Sequence, residues 1–283
     1  MNIYIVIPAH NEDNCIDLML QSLVEQTVLP KQVVVVNDNS TDTTEYIISK
    51  YTQAFPWIKT INIQSSTNHV PGTKVINAFY KGLETLDSHY DVICKFDADI
   101  ILPHNYLEAV IALFKADGKV GIAGGLAYIE KNNTWVYETI ASKKHVRGPF
   151  KAYRKECFEA IDGLKRSIGW DTLDVLLAQF YGWTIKTDTS LHVKHLKPTG
   201  ETYHKSSKYL QGEALYKMRF GIALTILSAL KSALARRSIM YFTNTIQGYF
   251  KARSQNITPL VTEEQGVFIR GIRWKGVKQK LGL

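Results

Sequence analysis

Residues 92–99 read Val-Ile-Cys-Lys-Phe-Asp-Ala-Asp, and this stretch decides the fold prediction. Its first five residues are mostly apolar, which is typical of a strand buried in a sheet. Side chains two positions apart on an extended chain point the same way, so Asp97 and Asp99 are expected to face one cleft. A divalent cation that also binds ligand phosphates would relieve their repulsion. The alternative is a solvated turn rich in aspartate.

Apolar strand patterns alternate with helical patterns on both sides of this stretch. The predicted strands are 2–8, 33–36, 58–63, 92–96, 120–123, 124–129, 135–137, 148–153 and 183–187. The predicted helices include 16–25, 43–51, 73–86, 105–115, 172–181 and 219–234. This alternation predicts an α/β fold with a mostly parallel, doubly wound sheet.

Three polar clusters follow three of the predicted core strands, at 8–13, 37–42 and 97–99. In doubly wound sheets, ligands bind beyond the carboxyl ends of the strands. We therefore expect these clusters to converge on one crevice, which favours a ligand site over a set of solvated turns.

The positive charge is concentrated near the C-terminus. The 283 residues carry a net charge of +8, yet residues 201–283 alone contain 14 Lys and Arg against 4 Asp and Glu. Residues 1–200 therefore have a net charge of −2. The basic region indicates an acidic partner, either anionic lipid or nucleic acid.

The segment 219–234 is apolar almost all round and is bracketed by cations, so it is predicted to be either core or membrane-facing. Basic and apolar residues also mix at 270–280. Lipid fits these patterns better than nucleic acid does. The longest apolar run, 220–230, is too short to span a bilayer.

Cysteine usage and the N-terminal sequence indicate a cytoplasmic location. The three cysteines have no metal-ligand spacing and are interpreted as reduced thiols. The first residues enter a strand pattern without a basic leader, so no signal peptide is predicted. Together with the basic region, this predicts a cytoplasmic protein, peripheral on the inner face of the membrane.

The sequences 8–12 (Pro-Ala-His-Asn-Glu), 37–42 (Asn-Asp-Asn-Ser-Thr-Asp), 97–99 and 169–171 (Gly-Trp-Asp) occur in this order. In order and separation they resemble the family 2 glycosyltransferases, which are inverting enzymes of the GT-A fold. The resemblance covers about residues 2–200. It implies a GT-A domain at 1–200. The charge and the apolar pattern of the remaining residues predict a separate basic, amphipathic helical region at 201–283.

For the donor, the resemblance implies that Pro8, Ala9 and Glu12 lie against the nucleoside. Asp38 matches the acidic residue that contacts the nucleotide base. The residue before it, usually acidic in the family, is Asn37 here. Lys74 is a looser match that would help to balance phosphate charge.

For the reacting centre, the resemblance implies that Asp97 and Asp99 form the Asp-X-Asp motif of nucleotide-sugar binding. Asp99 would be the main ligand of Mg²⁺ or Mn²⁺, and His195 matches a late histidine near the metal and diphosphate. Asp171 matches the catalytic base. Trp170 replaces the glutamate that usually precedes this base, and Asp174 is a competing candidate for the same role.

These features predict an inverting glycosyltransferase. It would move a sugar from a nucleoside-diphosphate sugar to a hydroxyl of a glycan or lipid-linked acceptor, in polysaccharide or glycolipid synthesis, without a nucleic-acid partner. A sugar nucleotidyltransferase is the enzymatic alternative, although the loop 8–12 lacks the glycines and basic charge that hold a triphosphate. A non-catalytic, nucleotide-binding protein of the membrane surface is the third possibility.

Overall fold

The computed structural model describes residues 1–65, 72–140, 142–197 and 208–282. Its strands are β1 (Ile3–Ala9), β2 (Gln32–Asp38), β3 (Ile58–Ile63), β4 (Val92–Phe96), β5 (Ile100–Ile101), β6 (Val120–Lys131), β7 (Thr134–Tyr137), β8 (Phe150–Arg154) and β9 (Thr184–His195). Its helices are α1 (Ile16–Val24), α2 (Thr44–Ala54), α3 (Thr73–Leu83), α4 (Tyr106–Ala116), α5 (Lys155–Ala160), α6 (Trp170–Phe180), α7 (Leu210–Lys217), α8 (Gly221–Arg236), α9 (Ile239–Ser254) and α10 (Glu263–Leu281). The predicted domain boundary between 200 and 201 lies outside the described residues.

The strands form one sheet in the order β3-β2-β1-β4-β8-β6-β9-β5, and β7 pairs with β6 beside this path. The neighbours β3, β2, β1 and β4 are parallel. The apolar residues of β1, β2 and β4 are buried, as in parallel strands covered by helices on both faces. The α/β prediction is therefore confirmed, and the doubly wound part of the sheet is its first half.

The second half of the sheet mixes strand directions. Strand β8 pairs antiparallel with both β4 and β6, and β9 runs parallel to β6. The two segments predicted at 120–123 and 124–129 form one long strand, β6. Strand β9 extends well beyond the predicted 187 and ends at His195, which pairs with Ile100 of β5. This extension carries the end of β9 to the segment that follows β4.

The C-terminal helices pack on one another and on the α/β part. Helix α9 lies against α7 and α8, and α10 lies against α6 and α8. The crossing of α7 and α9 depends on glycine, because a Cβ on Gly212 or Gly248 would overlap backbone atoms of the facing segment. Gln265 Nε2 of α10 donates to the Tyr181 hydroxyl at 3.2 Å, which ties the helical part to the end of α6.

Candidate functional site

The loop after β1 holds Glu12 beside the segment that follows β9. The Glu12 amide donates to Thr44 Oγ1 at 2.7 Å, which fixes the loop against the start of α2. The Glu12 carboxylate accepts a hydrogen bond from Lys197 Nζ at 2.6 Å. Pro8 and Ala9 end β1 directly before this loop. These three predicted donor residues therefore lie together at the carboxyl edge of the sheet.

Asn37 and Asp38 occupy the end of β2, with side chains on opposite faces of the strand. The Asp38 Oδ1 accepts from the amide of Ser65 at 2.9 Å. Asn37 is buried and its Nδ2 donates to Asn62 Oδ1 of β3 at 3.0 Å. The departure from the family pattern at Asn37 therefore serves the contact between β2 and β3.

Asp97 has a cation partner within the protein. Lys95, two residues earlier on β4, is 1% exposed and its Nζ contacts the Asp97 carboxylate. The amide of Asp97 donates to the Pro149 carbonyl at 2.8 Å. A buried lysine thus balances one of the two carboxylates whose repulsion we expected a metal ion to relieve.

Asp99 is paired with His195, as the end of β9 reaches the turn after β4. The distance from His195 Nε2 to Asp99 Oδ2 is 3.5 Å, and the amide of Leu196 donates to the Asp99 carbonyl at 2.8 Å. The structure therefore brings together the two residues that were predicted to bind a metal ion.

Behind His195 lies a carboxylate that the sequence analysis missed. Glu138 Oε2 is 3.8 Å from His195 Nδ1, and the same oxygen contacts the Arg147 guanidinium. Among the described residues, neither His195 Nδ1 nor Glu138 Oε1 has a hydrogen-bond partner, although both atoms are buried. The histidine ring is thus held between Glu138 on one side and Asp99 on the other.

The charges of this group stabilise one another. Burial by itself lowers the pKa of His195, but its contacts with Asp99 and Glu138 outweigh burial and raise the pKa to about 9. Burial likewise favours the neutral form of Glu138, while His195 and Arg147 hold its pKa at about 2. At neutral pH without a bound metal, His195 is therefore a cation between two carboxylates.

Glu12 belongs to the same electrostatic environment. Burial raises the pKa of Glu12, the ion pair with Lys197 opposes this effect, and the negative charges of Asp99 and Asp97 add to it. Glu12 is thus close enough to both aspartates to respond to their charge.

The first and second clusters are joined by hydrogen bonds, since the Asn11 amide donates to Ser40 Oγ at 3.0 Å and the Thr41 amide donates to Asn11 Oδ1 at 2.8 Å. The three clusters therefore meet at one edge of the sheet, as expected.

Asp174 is enclosed beneath the site by a buried hydrogen-bond network. Both of its oxygens accept from Lys151 Nζ at 2.8 Å, and Oδ2 also accepts from the Tyr153 hydroxyl. Asp174 is 1% exposed, so an acceptor hydroxyl has no access to it. The ring of Trp170 covers Lys151 and Lys95, with its centroid 5.8 and 5.1 Å from their Nζ atoms.

Asp171 lies in the first turn of α6, which begins at Trp170 after a left-handed Gly169. Its side chain is partly exposed and its carbonyl accepts from Lys151 Nζ. The loop before β8 passes close by, since a Cβ on Gly148 would lie 3.1 Å from Asp171 Cβ. Asp171 therefore keeps the solvent access that Asp174 lacks, and its backbone is anchored by a buried lysine.

Lys74 lies in the first turn of α3 and is partly exposed. Within the described residues it forms no ion pair. Two residues before it, Gly72 has a φ of +77°, and a Cβ there would overlap the Ser167 carbonyl. The start of α3 is thus fixed against the loop that leads into α6.

The described residues contain no cluster of three or more His, Cys, Asp and Glu side chains arranged to hold a metal ion. Asp99 and His195 supply one carboxylate oxygen and one imidazole nitrogen, 3.5 Å apart. Magnesium is usually held by one or two carboxylates together with substrate phosphates, and imidazole suits transition-metal ions. The residues present therefore fit a cation whose remaining ligands come from a diphosphate.

The residues that sequence analysis missed are mainly charged groups inside the protein. Lysines at the centres of the apolar strands 92–96 and 150–154 could have been recognised, because a buried charge needs a partner. No sequence pattern identifies Glu138 or Lys197, since their partners lie far away along the chain.

Comparison with known proteins gives a family match over strands β1 to β8, which ends before Asp171 and β9. The sequence model described as Glycosyl transferase family 2 matches residues 4–165. The probable glycosyltransferase YdaM of Bacillus subtilis (strain 168) is 32% identical over 98 residues, which cover 34% of this chain and 22% of YdaM. The chain thus matches about a fifth of the length of this relative.

Two solved structures have a similar fold at low sequence identity. One is S. aureus TarS 1-349 in complex with UDP-GlcNAc, with a TM-score of 0.57, 19% identity and coverage of 91% of this chain and 74% of that chain. The other is the mannosyltransferase PcManGT from Pyrobaculum calidifontis in complex with GDP-Man and Mn²⁺, with a TM-score of 0.56, 16% identity and coverage of 99% and 80%. The GT-A-like fold prediction is confirmed by this similarity.

Proposed function

The chain belongs to glycosyl transferase family 2, and we propose that it transfers a sugar from a nucleoside-diphosphate sugar to a hydroxyl group, with inversion at the anomeric carbon. The observation that carries this proposal is the meeting of Glu12, Asp99 and His195 at one edge of the sheet. Those side chains come from the ends of β1, β4 and β9. This arrangement suits a charged, phosphate-bearing donor bound beyond the strand ends.

The donor would lie over the ends of β1 and β2. Pro8 and Ala9 would contact the nucleoside, with Glu12 near the ribose and Asp38 near the base. Lys74, without an ion-pair partner among the described residues, would turn toward the diphosphate. The nucleotide sugars bound by TarS and PcManGT support a donor of this class.

Asp99 and His195 would hold Mg²⁺ or Mn²⁺, with Asp97 beside them paired to Lys95. When bound, such an ion neutralises charge that develops on a diphosphate leaving group. Glu138 would act as a positioning residue, because its carboxylate faces His195 Nδ1 and leaves Nε2 directed at Asp99. The Mn²⁺ bound with GDP-Man in PcManGT supports a divalent cation here.

Asp171 would be the catalytic base that accepts the proton of the attacking hydroxyl. A base of this kind typically contributes ~10²–10⁴-fold to the rate. Asp174 is already bound by Lys151 and Tyr153, which favours Asp171 of the two candidates. Lys151 would keep the start of α6 in place during the reaction, because it binds the Asp171 carbonyl.

The acceptor would be a growing glycan or a lipid-linked sugar, used in polysaccharide or glycolipid synthesis on the cytoplasmic side of a membrane. The basic helical region from 208 onward supports this assignment, because a lipid-linked acceptor presents its sugar at an anionic surface.

Thermal unfolding with UDP, GDP, dTDP and CMP, each with and without Mn²⁺, tests the donor site. A ligand that binds the folded state raises the melting temperature. We expect one diphosphate to do so in a metal-dependent way, and Asp99→Ala to abolish this shift. Glu84→Ala, at an exposed ion pair of α3, is the matched control. No shift with any nucleotide would overturn the proposed donor site.

Release of nucleotide from the matching sugar donor tests catalysis. Asp171→Asn should keep the thermal shift and lower turnover by ~10²-fold or more. Asp174→Asn should instead lower stability. A wild-type protein that binds the diphosphate yet never releases it from any sugar donor would favour the non-catalytic alternative.

A further inference from the structure

Helix α8 packs on the protein mainly through small residues, whereas an ordinary surface helix packs through its large apolar residues. Its small and hydroxyl-bearing residues face the protein, where Thr225, Ala229 and Ala233 are buried. Thr225 Oγ1 donates to the Gly221 carbonyl at 2.8 Å, so its polar atom is satisfied within the helix. A polar residue that could have faced water therefore lies in the packed face, while Ser228 and Ser232 are partly exposed.

Most of the large apolar side chains of α8 and of the adjacent start of α9 are exposed, whereas Leu224 is buried. We call this set the α8 face, and it consists of Ile222, Ile226, Leu227, Leu230, Leu234, Ile239 and Met240. Their exposure rises toward the turn between the helices, to 70% at Leu234 and 79% at Ile239. A contiguous apolar surface of this kind marks an interaction site.

The charge around the α8 face has one sign. Residues 214–262 contain seven Lys and Arg and no Asp or Glu. Lys231, Arg236 and Arg237 are exposed beside the apolar residues. Arg237 ends α8 in the left-handed region at φ +49°, a position where glycine is the usual residue. An arginine is thus kept at the exposed turn despite a backbone conformation that disfavours it.

These observations favour an anionic lipid surface over other partners. In a symmetric dimer through the α8 face, cations would meet cations, and no carboxylate lies within 214–262 to pair with them. Nucleic acid would bind the cations but leave the apolar side chains uncovered. None of the helices among the described residues is long and apolar enough to cross a bilayer. An interfacial helix needs only one apolar face with flanking cations.

We propose that the α8 face docks on an anionic membrane, with the turn between α8 and α9 entering the headgroup region. This inference deepens the proposed function. The role of the contact, which is to hold the enzyme beside a lipid-linked acceptor, rests on that function. Apolar side chains supply burial in the interface, and the three exposed cations supply attraction to lipid phosphates.

Flotation of the full chain with vesicles tests the proposal. We expect binding to vesicles of equal phosphatidylglycerol and phosphatidylcholine, and weak binding to phosphatidylcholine alone. Each cation near an anionic surface contributes about fivefold to binding. Arg236→Gln with Arg237→Gly should therefore weaken binding by about 25-fold. The glycine relieves the left-handed backbone, so the variant should be at least as stable as the wild type.

A second variant tests the apolar part. Leu230→Ser with Leu234→Ser should abolish flotation, because it removes apolar side chains that would enter the interface. Both side chains are exposed, so their loss leaves the core intact. Leu29→Ser with Ile140→Ser removes equally exposed apolar residues elsewhere and should float like the wild type. Variants of the α8 face that float like the wild type would overturn the proposal. Light scattering that shows a wild-type dimer and a monomeric serine variant would also overturn it, because the α8 face would then be a dimer interface.

The same samples separate this inference from the proposed function. Each variant of the α8 face should keep the metal-dependent thermal shift with nucleotide. A wild-type protein that shows this shift but floats with no vesicle would refute the membrane contact alone. Flotation without any nucleotide shift would refute the donor site and leave the membrane contact intact.

Discussion

Replacing Lys151 with methionine would remove the cation that faces the buried carboxylate of Asp174. The two side chains are 0% and 1% exposed, and Nζ lies 2.8 Å from both carboxylate oxygens. Removing one partner of a buried ion pair typically costs about 3–5 kcal/mol. We expect Lys151→Met to lower the free energy of unfolding by about this amount at neutral pH.

The loss should depend on pH, with a sign set by Asp174. Burial raises the pKa of Asp174, and Lys151 opposes that effect. Without Lys151 the folded-state pKa rises further above the unfolded value of about 3.9. A group with a raised folded-state pKa loses its stabilising contribution as the pH rises through that pKa. The variant should therefore be closest to the wild type in acid and weakest above neutral pH.

Urea unfolding followed by circular dichroism at about pH 5 and pH 8 measures both effects. Lys151→Met with Asp174→Leu should recover most of the stability, since apolar replacement of a buried pair is often neutral. Lys165→Met, at an ion pair whose Asp162 is exposed, is the control and should cost less than about 1 kcal/mol. A Lys151→Met loss below about 1 kcal/mol at pH 8, or one that grows toward acid, would refute the reasoning.

Three further changes test other contacts. Gly148→Ala would place a Cβ 3.1 Å from Asp171 Cβ, and it should lower turnover by about tenfold while the nucleotide-dependent thermal shift stays. Glu138→Gln should weaken Mn²⁺ binding by about tenfold in a titration. The Glu138 carboxylate orients His195, and it attracts a divalent ion more strongly than it attracts the single proton that the ion displaces from His195. An unchanged Mn²⁺ affinity would exclude this role for Glu138. Gly212→Ala would overlap the backbone of α9 and should lower the free energy of unfolding by about 1–3 kcal/mol in a urea titration, whereas a wild-type value would show that the helices can separate without cost.

The sequence was sufficient to predict the parallel half of the sheet and the edge at which the candidate site residues lie. Runs such as 33–36 contain only β-branched residues, and this composition predicts a buried strand. The polar residues after these strands then must share an edge, because the strands are parallel. The positions of Glu12 and Asp99 follow from local pattern and this one topological rule.

The buried charge pairs could not be predicted in the same way. Lys95 and Lys151 are opposite each other across β4 and β8, and that register exists only because β8 inserts antiparallel beside β4. Their contacts with Asp174 and Trp170 depend on this register, whereas Lys95 and Asp97 are only two positions apart in the sequence. Local periodicity carries no information on such pairing, since it describes each strand separately.

Helix α8 shows a second limit. A periodic pattern tells how apolar residues are distributed around a helix, but it assigns the inward face by assuming that apolar residues are buried. Here Ala229 and Ala233 are buried, and α8 packs against α9. The sequence therefore left core and membrane-facing positions open, and only the three-dimensional packing separates them.

The insertion of β8 and the late arrival of β9 also determine when the site can form during synthesis. Strands β1, β2 and β3 pair with neighbours close in sequence, whereas β1 must wait for β4, β4 for β8 and β5 for β9. Contacts between distant segments form slowly because a long loop must close first. A nascent chain that ends before 184 would hold β1 to β8 but neither His195 nor Lys197. Glu12 and Asp99 thus gain their partners Lys197 and His195 only when nearly all of the sheet has emerged from the ribosome, so the candidate site and the sheet are completed together.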